Sequence, residues 1–163
     1  FSEVVPLARA TKRLCDELGL AAFAKTSGAT GLHVLVPLGR ALTFAQSRQL
    51  GMLLAHALVA RHPDIATVDR MLQARKGRVY VDVLQNGHGR LIVSAFSVRP
   101  RSGAPVSTPL RWREVGPRLD PSAFDIRSVP RRLARQRTDP WAGLLEIEPD
   151  LLGALEALQS QFS

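Results

Sequence analysis

The sequence predicts a mixed α/β domain of the α+β kind, in which helices cover a mixed β-sheet. Two long stretches, residues 2–18 and 44–62, carry apolar side chains at helical spacing. Residues 78–84 instead place a β-branched valine at every second position, which is typical of a strand. Apolar residues make up 45% of the 163-residue chain, which is enough to form one core.

The first helix is expected to start from Ser2 as its N-cap and to end at Gly19, a residue suited to a helix C-terminus. Residues 21–25 then predict a short strand, and residues 27–31 predict a glycine-containing turn. An apolar strand follows at residues 32–36 and stops at a proline. The order is therefore helix, strand, turn and strand.

The second helix is expected to begin at Thr43, which has capping-box spacing to Gln46. Its apolar face would carry leucines together with the phenylalanine that follows the cap. Residues 78–84 form the clearest strand in the sequence. A turn signal at residues 86–87 leads into a returning strand at residues 91–98, so we predict a hairpin. This hairpin would place residues of its two arms opposite one another.

From Arg99 onward the chain becomes rich in proline, arginine, serine and glycine. Prolines break regular structure, so this region predicts loops, brief helices and one edge strand. A final helix is expected to follow Asp150, which can serve as its N-cap.

The chain carries a net charge of +8 and has a sequence pI near 11.1. Nearly all of the positive charge is arginine, because the only lysines are Lys12, Lys25 and Lys76. Such an excess favours polyanionic partners such as nucleic acid, nucleotides or an anionic membrane. A codon bias that raises the arginine and alanine content together would explain the same composition.

Cys15 is the only cysteine, so an intrachain disulfide is excluded and a disulfide-stapled secreted scaffold with it. The longest apolar stretches fall short of the roughly 18 to 20 residues that a membrane helix requires, and no basic and apolar leader opens the chain. We therefore expect a soluble cytoplasmic protein with no membrane partner.

The first candidate site is the turn at residues 25–33, which carries Lys25, Ser27, Thr30 and His33 together with two glycines. Glycines allow backbone N–H groups to approach an anion, hydroxyls donate hydrogen bonds, and a cation neutralises charge. This pattern is typical of a phosphate-binding turn. The alternative is an ordinary hairpin turn that precedes a structural histidine.

The second candidate site surrounds Asp82, which lies in the middle of the strand at residues 78–84. A carboxylate there needs a cation partner, which would be a metal ion or an arginine. The predicted hairpin could gather Arg75, Gln85, Ser97 and Arg99 around it, and such a group suits a nucleoside triphosphate. The alternative is a solvated basic rim.

Four segments follow one another in a specific order: 25–33 (KTSGATGLH), 80–86 (YVDVLQN), 96–100 (FSVRP) and 103–112 (GAPVSTPLRW). Together they resemble the polymerase domain of bacterial ligase D, a member of the archaeo-eukaryotic primase superfamily. The resemblance implies a primase-type catalytic core. We expect residues 1–145 to be the C-terminal major part of such a domain, and residues 146–163 to be a terminal helix serving as extension or linker.

The resemblance also implies roles for single residues. Asp82 matches one of three carboxylates that bind two divalent metal ions, Mn²⁺ or Mg²⁺, and His33 joins it as a candidate catalytic residue. The candidate nucleotide-binding residues are Lys25, Ser27, Thr30, His33, Arg75, Gln85, Ser97 and Arg99.

The implied activity is primer extension and gap filling with ribo- or deoxyribonucleoside triphosphates at double-strand break ends, in bacterial non-homologous end joining. The implied partners are DNA ends or a primer-template, nucleoside triphosphates, ligase and nuclease domains of the same polypeptide, and the end-binding protein Ku. The implied location is the bacterial cytoplasm, at the nucleoid.

The chain departs from the family pattern in two ways. Thr30 stands where the family commonly has a lysine, and the family's Asp-x-Asp pair lies before the position matched by Phe1. We therefore expect this chain to be a fragment that is inactive by itself. The alternatives are a non-catalytic nucleic-acid or nucleotide-binding module and a primase that needs no primer.

Overall fold

The computed structural model describes residues 1–160 and confirms the mixed α+β class. Its α-helices are α1 (Val4–Glu17), α2 (Phe44–Arg61), α3 (Leu72–Arg75), α4 (Ser128–Arg135) and α5 (Leu151–Ser160). Its strands are β1 (Phe23–Thr26), β2 (Leu32–Leu35), β3 (Ala66–Thr67), β4 (Val79–Tyr80) and β5 (Pro109–Leu110). Short 3₁₀-helices lie at Trp112–Glu114, Pro121–Ala123 and Leu144–Glu146. No helix among residues 1–160 is long and apolar enough to cross a membrane.

The strands form two small sheets, where the sequence predicted a single central one. The main sheet is antiparallel in the order β2-β1-β5, and β3 pairs with β4 in a separate parallel sheet. In the main sheet Ala24 lies opposite Val34, and Lys25 lies opposite His33. Successive side chains of a strand point to opposite faces, so these two pairs occupy different sides of the sheet.

The first helix begins one residue later than expected. Glu3 is its N-cap and makes no side-chain capping bond, so the prediction that Ser2 is the cap was wrong. Its C-terminal end was predicted correctly, because Gly19 has a φ of +67° and the N–H of Leu20 bonds back to the carbonyl of Cys15 at 2.8 Å. This is the geometry in which glycine ends a helix.

The predicted strand at residues 78–84 is regular only over β4, and the predicted hairpin is wrong. The N–H of Val81 still bonds the Thr67 carbonyl at 2.9 Å. The chain then turns, since Oδ1 of Asp82 accepts the N–H of Leu84 at 3.0 Å. An aspartate that bonds the backbone two residues ahead competes with strand pairing. The residue singled out for chemistry is therefore the one that ends the strand.

Residues 91–98 do not form the predicted returning strand. Residues 96–99 instead pair with residues 105–107: the N–H of Phe96 bonds Ser107 O at 2.6 Å, and the N–H of Arg99 bonds Pro105 O at 2.8 Å. The residues of this stretch before Phe96 do not pack against an apolar surface. Leu91, for example, is 89% exposed.

The other predicted ends were correct. Thr43 and Gln46 form a reciprocal capping box at the start of α2, and Asp150 accepts the N–H of Gly153 at 3.0 Å at the start of α5. Brief helices and the edge strand β5 follow Arg99 as expected. Phe44, which was expected on the apolar face of α2, is 60% exposed.

The core has two clusters on the α1 side of the main sheet. One joins Leu14 of α1 to Leu58 of α2 and Leu158 of α5. The other packs α1 against the sheet through Val5, Ala8, Ala24, Leu110 and Val115. The first contacts Val34 as well, so the Ala24–Val34 pair faces α1.

Two tryptophans fix β1 from distant parts of the chain. The indole N–H of Trp112 donates to the carbonyl of Ala22 at 2.7 Å, and that of Trp141 donates to the carbonyl of Ala24 at 3.1 Å. Both indoles are partly buried, where a satisfied N–H is worth more than in water. The proline-rich second half of the chain therefore holds the central strand in place.

Candidate functional site

Lys25, His33 and Arg99 converge on the face of the main sheet that points away from α1. Lys25 and His33 are direct neighbours across β1 and β2. Arg99 reaches them because its segment pairs with residues 105–107, which lie beside the end of β1. The sequence predicted the association of Arg99 with this region, although through a hairpin that does not form. We call these three residues the cationic cluster.

Lys25 is 1% exposed, which is rare for a lysine. Its ammonium donates to the hydroxyl of Ser107 at 2.6 Å, and that hydroxyl donates to the carbonyl of Thr26 at 2.8 Å. Burial, with the charge of Arg99 adding to it, lowers the pKa of Lys25 to about 8. Lys25 is therefore still mostly protonated at neutral pH, and it forms no ion pair within residues 1–160.

His33 is neutral at physiological pH. Burial lowers its pKa to about 4, with further lowering by Lys25 and Arg99 and a smaller opposing effect of Asp82. Its Nδ1 is buried and has no hydrogen-bond partner in the part of the chain that the structure describes. A buried ring nitrogen without a partner is a costly feature, and it can bond a ligand that enters the cluster.

Arg99 lies directly over Gly28. Gly28 has a φ of +68°, and a Cβ added there would stand 2.5 Å from Cγ of Arg99 and 3.1 Å from the backbone nitrogen of Ser107. Both the backbone conformation and the close approach require glycine at this position. The Nε of Arg99 is buried and lacks a partner among residues 1–160. The guanidinium therefore retains donor capacity toward a ligand.

The turn between β1 and β2 is closed by Ser27. Its N–H bonds Gly31 O at 3.0 Å, and its Oγ accepts the N–H groups of Ala29 and Gly31, each at 3.1 Å. The backbone N–H groups of the turn were expected to approach an anion, and these two already bond within the turn. The hydroxyl hydrogen of Ser27 is left to donate, and Thr30 is exposed at the tip of the turn. Side chains, more than backbone, provide the donors here.

Asp82 lies at the edge of the cationic cluster. Val81 packs against the core, so Asp82 points outward and is exposed. It forms no salt bridge within residues 1–160, so the alternative of a structural ion pair with an arginine does not hold there. Its charge nevertheless opposes the lowering of the His33 pKa. Burial raises the pKa of Tyr80, and the charge of Asp82 adds to that rise.

The remaining predicted residues are spread around this region. Arg75 stacks on Tyr80, with its Cζ 4.5 Å from the ring centroid, and donates to the carbonyl of Arg70 at 2.8 Å. Gln85 is exposed, and Ser97 accepts the N–H of Ser107 at 3.0 Å through its carbonyl. No hydrogen bond within residues 1–160 joins any of these three to Asp82.

Sequence reasoning missed Ser107 and Tyr80. Ser107 holds the ammonium of Lys25 across 82 residues of chain, a separation that no local pattern indicates. Tyr80 supports the guanidinium of Arg75 through its ring. Side chains two positions apart in a strand share a face, so the spacing of Tyr80 and Asp82 is a signal that could have linked them.

The cationic cluster and the neighbouring carboxylate define a class of site. Two cations and two buried polar atoms without partners face a ligand that must carry concentrated negative charge. An exposed carboxylate beside such a ligand is typical of enzymes that bind nucleotide phosphates. The fold and the site thus indicate a phosphate-binding domain with nucleotide chemistry.

Comparison with known proteins identifies the family. A family model described as the LigD primase-polymerase domain matches residues 1–141. The chain belongs to this family, which is one of nucleotidyltransferases. It is 38% identical over 130 residues to the multifunctional non-homologous end joining protein LigD of Pseudomonas aeruginosa, and 33% identical over 137 residues to the bifunctional LigD protein of Bacillus subtilis.

A solved structure agrees with the family assignment. The polymerase domain from Mycobacterium tuberculosis ligase D in complex with DNA matches with a TM-score of 0.81 at 29% identity, over 90% of this chain and 50% of that one. The two curated relatives are matched over 79% and 83% of this chain, which spans 16% and 22% of their lengths.

The family implies a requirement for a divalent metal ion, and the donor set can be tested for it. Asp82 offers one carboxylate, and Oδ1 of that group already accepts a backbone N–H. Residues 1–160 contain no group of three or more His, Cys, Asp or Glu side chains placed to hold a metal ion. A pair of metal ions needs several bridging carboxylate oxygens. The residues present do not by themselves fit such a site.

Proposed function

We propose that this chain is the triphosphate-binding part of a DNA-directed nucleotidyltransferase that extends primers and fills gaps at double-strand break ends in bacterial non-homologous end joining. The observation that carries the proposal is the cationic cluster, in which a buried lysine and an arginine lack a carboxylate partner among residues 1–160. Unneutralised buried charge is costly unless a ligand compensates it. A nucleoside triphosphate supplies that compensation.

Each residue of the cluster has a role that follows from its environment. Lys25 and Arg99 neutralise phosphate oxygens, since both are cationic at neutral pH and both lie on the face of the sheet that points away from α1. Neutral His33 donates a hydrogen bond to the same group through its unpartnered Nδ1, and Ser27 donates its hydroxyl hydrogen. Substrate positioning and charge neutralisation are the main contributions of protein groups to phosphoryl transfer.

The outer residues complete the pocket in this proposal. Arg75, held flat against Tyr80, presents its guanidinium to the nucleotide, while Gln85, Ser97 and Thr30 supply amide and hydroxyl groups. Asp82 contributes one carboxylate oxygen toward Mn²⁺ or Mg²⁺, hard cations that prefer oxygen ligands. The other ligands would come from elsewhere in a complete polymerase domain.

The proposal extends to organisation and partners. Residues 1–145 form the major C-terminal part of a polymerase domain, and residues 146–163 form an extension or linker. Because the related Mycobacterium tuberculosis domain was solved in complex with DNA, we propose DNA ends as a partner. Ligase and nuclease domains of the same polypeptide, the protein Ku, and a location at the nucleoid in the cytoplasm belong to the same proposal.

The substitution Thr30→Lys tests the triphosphate site by gain of function. Thr30 is exposed at the tip of the turn, so a lysine fits there and restores the cation common in the family. We expect nucleoside triphosphate to bind several-fold more tightly, measured by fluorescence anisotropy of a labelled triphosphate. Gln49→Lys adds the same charge on exposed α2 surface and should change little. Equal gains in affinity in both variants would show that net charge alone causes the tighter binding.

A second candidate is a non-catalytic module that binds nucleotides or nucleic acid. It is favoured by the lack of a three-ligand metal cluster among residues 1–160. The full-length natural protein should add nucleotides to a primer in manganese and lose that activity in Asp82→Ala. Salt-sensitive DNA binding without any nucleotide addition would support the second candidate. Synthesis without a primer would instead identify a primase.

A further inference from the structure

A cavity of about 340 Å³ lies on the opposite side of the main sheet from the cationic cluster. Its walls include Arg9 of α1, and Arg113 and Arg118 from the segment after β5. This segment and α1 pack together on the Ala24 side of the sheet, whereas Lys25 and His33 occupy the other side. The cavity is therefore distinct from the proposed triphosphate site and lies on the other face of the sheet.

The only acidic residue among the residues that line this cavity is already neutralised. The carboxylate of Glu114 accepts hydrogen bonds from both terminal guanidinium nitrogens of Arg132, at 2.6 and 2.9 Å. It also accepts the backbone N–H of Arg111 at 2.8 Å. Although burial raises the pKa of Glu114, the bonds from Arg132 and Arg111 outweigh it and hold the pKa below its usual value. Glu114 has little capacity left for the arginines that line the cavity.

The positive charge of the three arginines that line the cavity is consequently not neutralised by Glu114. No salt bridge within residues 1–160 involves Arg9, Arg113 or Arg118. The Nε of Arg9 donates to the carbonyl of Val115 at 2.5 Å, which fixes the direction of its guanidinium. Its terminal nitrogens make no hydrogen bond to a group within residues 1–160. Guanidinium groups are the preferred protein partners of phosphate.

A second, more apolar cavity of about 490 Å³ adjoins the first and shares Arg9 and Leu119 with it. Its other walls include Val5, Pro6 and Phe1. Both volumes fall within the range of about 300 to 1,000 Å³ that is usual for small-molecule sites. A charged cavity that opens onto an apolar one suits a ligand with a phosphate at one end and a flat apolar group at the other.

We propose that Arg9, Arg113 and Arg118 form a second phosphate-ester site, which takes a nucleotide unit with its phosphate among the arginines and its base in the apolar cavity. The nucleotide is either free or part of a nucleic-acid strand. The site does not depend on the proposed triphosphate function, because the two groups of residues share no member and face opposite sides of the sheet.

The test follows the side-chain Nε–H signals of arginine by NMR while the 163-residue chain is titrated with a nucleoside monophosphate. The titration uses the Arg99→Ala background, in which the cationic cluster is weakened. We expect saturable shifts of the Arg9, Arg113 and Arg118 signals, with an affinity several-fold higher than for inorganic phosphate. Equal affinity for the two probes, or shifts that never saturate, would overturn the proposal.

A matched pair of double variants separates the cavity from net charge. Arg113→Ala with Arg118→Ala should lose at least ten-fold in affinity and leaves the Arg9 anchor intact. Arg131→Ala with Arg135→Ala removes the same charge from the exposed surface of α4 and should bind as the parent does. Similar losses in both variants would contradict the proposal. If the first pair perturbs the fold, Arg113→Lys with Arg118→Lys keeps the charge and should still weaken binding, since lysine lacks the fork.

Competition then identifies the natural source of the nucleotide unit. A single-stranded oligonucleotide without terminal phosphates that displaces the monophosphate from the three arginines identifies a backbone phosphodiester. Failure of the oligonucleotide to compete, with the monophosphate still bound, identifies a free phosphomonoester. Either result supports the site.

Discussion

At Gly28 the backbone and a neighbouring side chain both exclude any other residue. The change Gly28→Ala places a methyl group 2.5 Å from Cγ of Arg99 on a backbone with a φ of +68°. We expect the free energy of unfolding to fall by about 1 to 3 kcal/mol and triphosphate affinity to fall with it, because Arg99 must move. Urea unfolding and labelled-triphosphate anisotropy measure the two effects.

Gly89 offers a control for backbone strain alone. Its φ is +69°, and a Cβ added there meets nothing within 4 Å. The change Gly89→Ala should therefore destabilise the fold less and leave triphosphate affinity unaltered. If the two alanine variants lose the same affinity, the close approach of Arg99 to Gly28 is not what shapes the site.

The lowered pKa of Lys25 predicts proton uptake when an anion binds. The pKa is about 8 in the unliganded chain, and a bound triphosphate should raise it by favouring the charged form. At about pH 8.5 the free ammonium is partly deprotonated, so binding should take up a fraction of a proton. Calorimetry in two buffers of different ionisation enthalpy measures this uptake.

Two variants of this experiment locate the proton. Lys25→Met should abolish the uptake, while Lys76→Met, on an exposed residue, should preserve it. The direction of the effect is fixed by the sign of the shift: uptake requires a pKa that rises on binding. Proton release at this pH would show that the anion does not contact Lys25.

Among the helices, α2 provides the clearest test of local sequence control. Its capping box joins the Thr43 hydroxyl to the N–H of Gln46, and the Gln46 side chain to the N–H of Thr43. Thr43→Ala removes one of these bonds and should lower the free energy of unfolding by about 1 kcal/mol. Thr30→Ala, at an exposed position outside any helix, serves as control and should change stability by much less.

Helix ends were predictable because the groups that determine them lie within a few residues. Thr43, Gly19 and Asp150 act on backbone groups three to five positions away. The turn at residues 27–31 follows from equally local chemistry, and its phosphate-binding role stays a prediction. Ser2 is the exception: a suitable residue was present, but the helix begins after Glu3.

Alternation alone could not show that the predicted hairpin does not form. The valines at 79, 81 and 83 alternate as a strand should, yet the Asp82 carboxylate captures the N–H of Leu84 and ends the pairing. The true partner of β4 is β3, which is two residues long and carries no pattern of its own. Arg99 reached the site through residues 105–107, an arrangement set by tertiary packing.

For the molecule as a whole, the net charge of +8 predicts a stability that rises with salt. Arg127, the N-cap residue of α4, and Arg131 and Arg135 within α4 lie at four-residue spacing. All three are exposed and form no salt bridge within residues 1–160. Like charges repel at this spacing and salt screens them. Raising NaCl from about 50 to about 500 mM should raise the Tm by a few degrees.

Neutralising these arginines should reduce that salt effect. The triple change to glutamine at 127, 131 and 135 removes three charges while keeping length and polarity. We expect a higher Tm at low salt and a flatter salt dependence in scanning calorimetry. A parent Tm that falls with salt would mean that attractive ion pairs outweigh repulsion across the surface.

The fixing of β1 by distant residues has a consequence for synthesis on the ribosome. The side-chain oxygen of Thr26 in β1 accepts the N–H of Thr108, which lies 82 residues later in the chain. The carbonyl of Ala24 accepts the indole N–H of Trp141, which lies 117 residues later. At about 5 to 20 residues per second, this strand stays open along one edge for on the order of 4 to 20 seconds. During translation, then, the central strand is exposed to pairing with neighbouring nascent chains, and chaperone demand should fall sharply once Trp141 has left the exit tunnel.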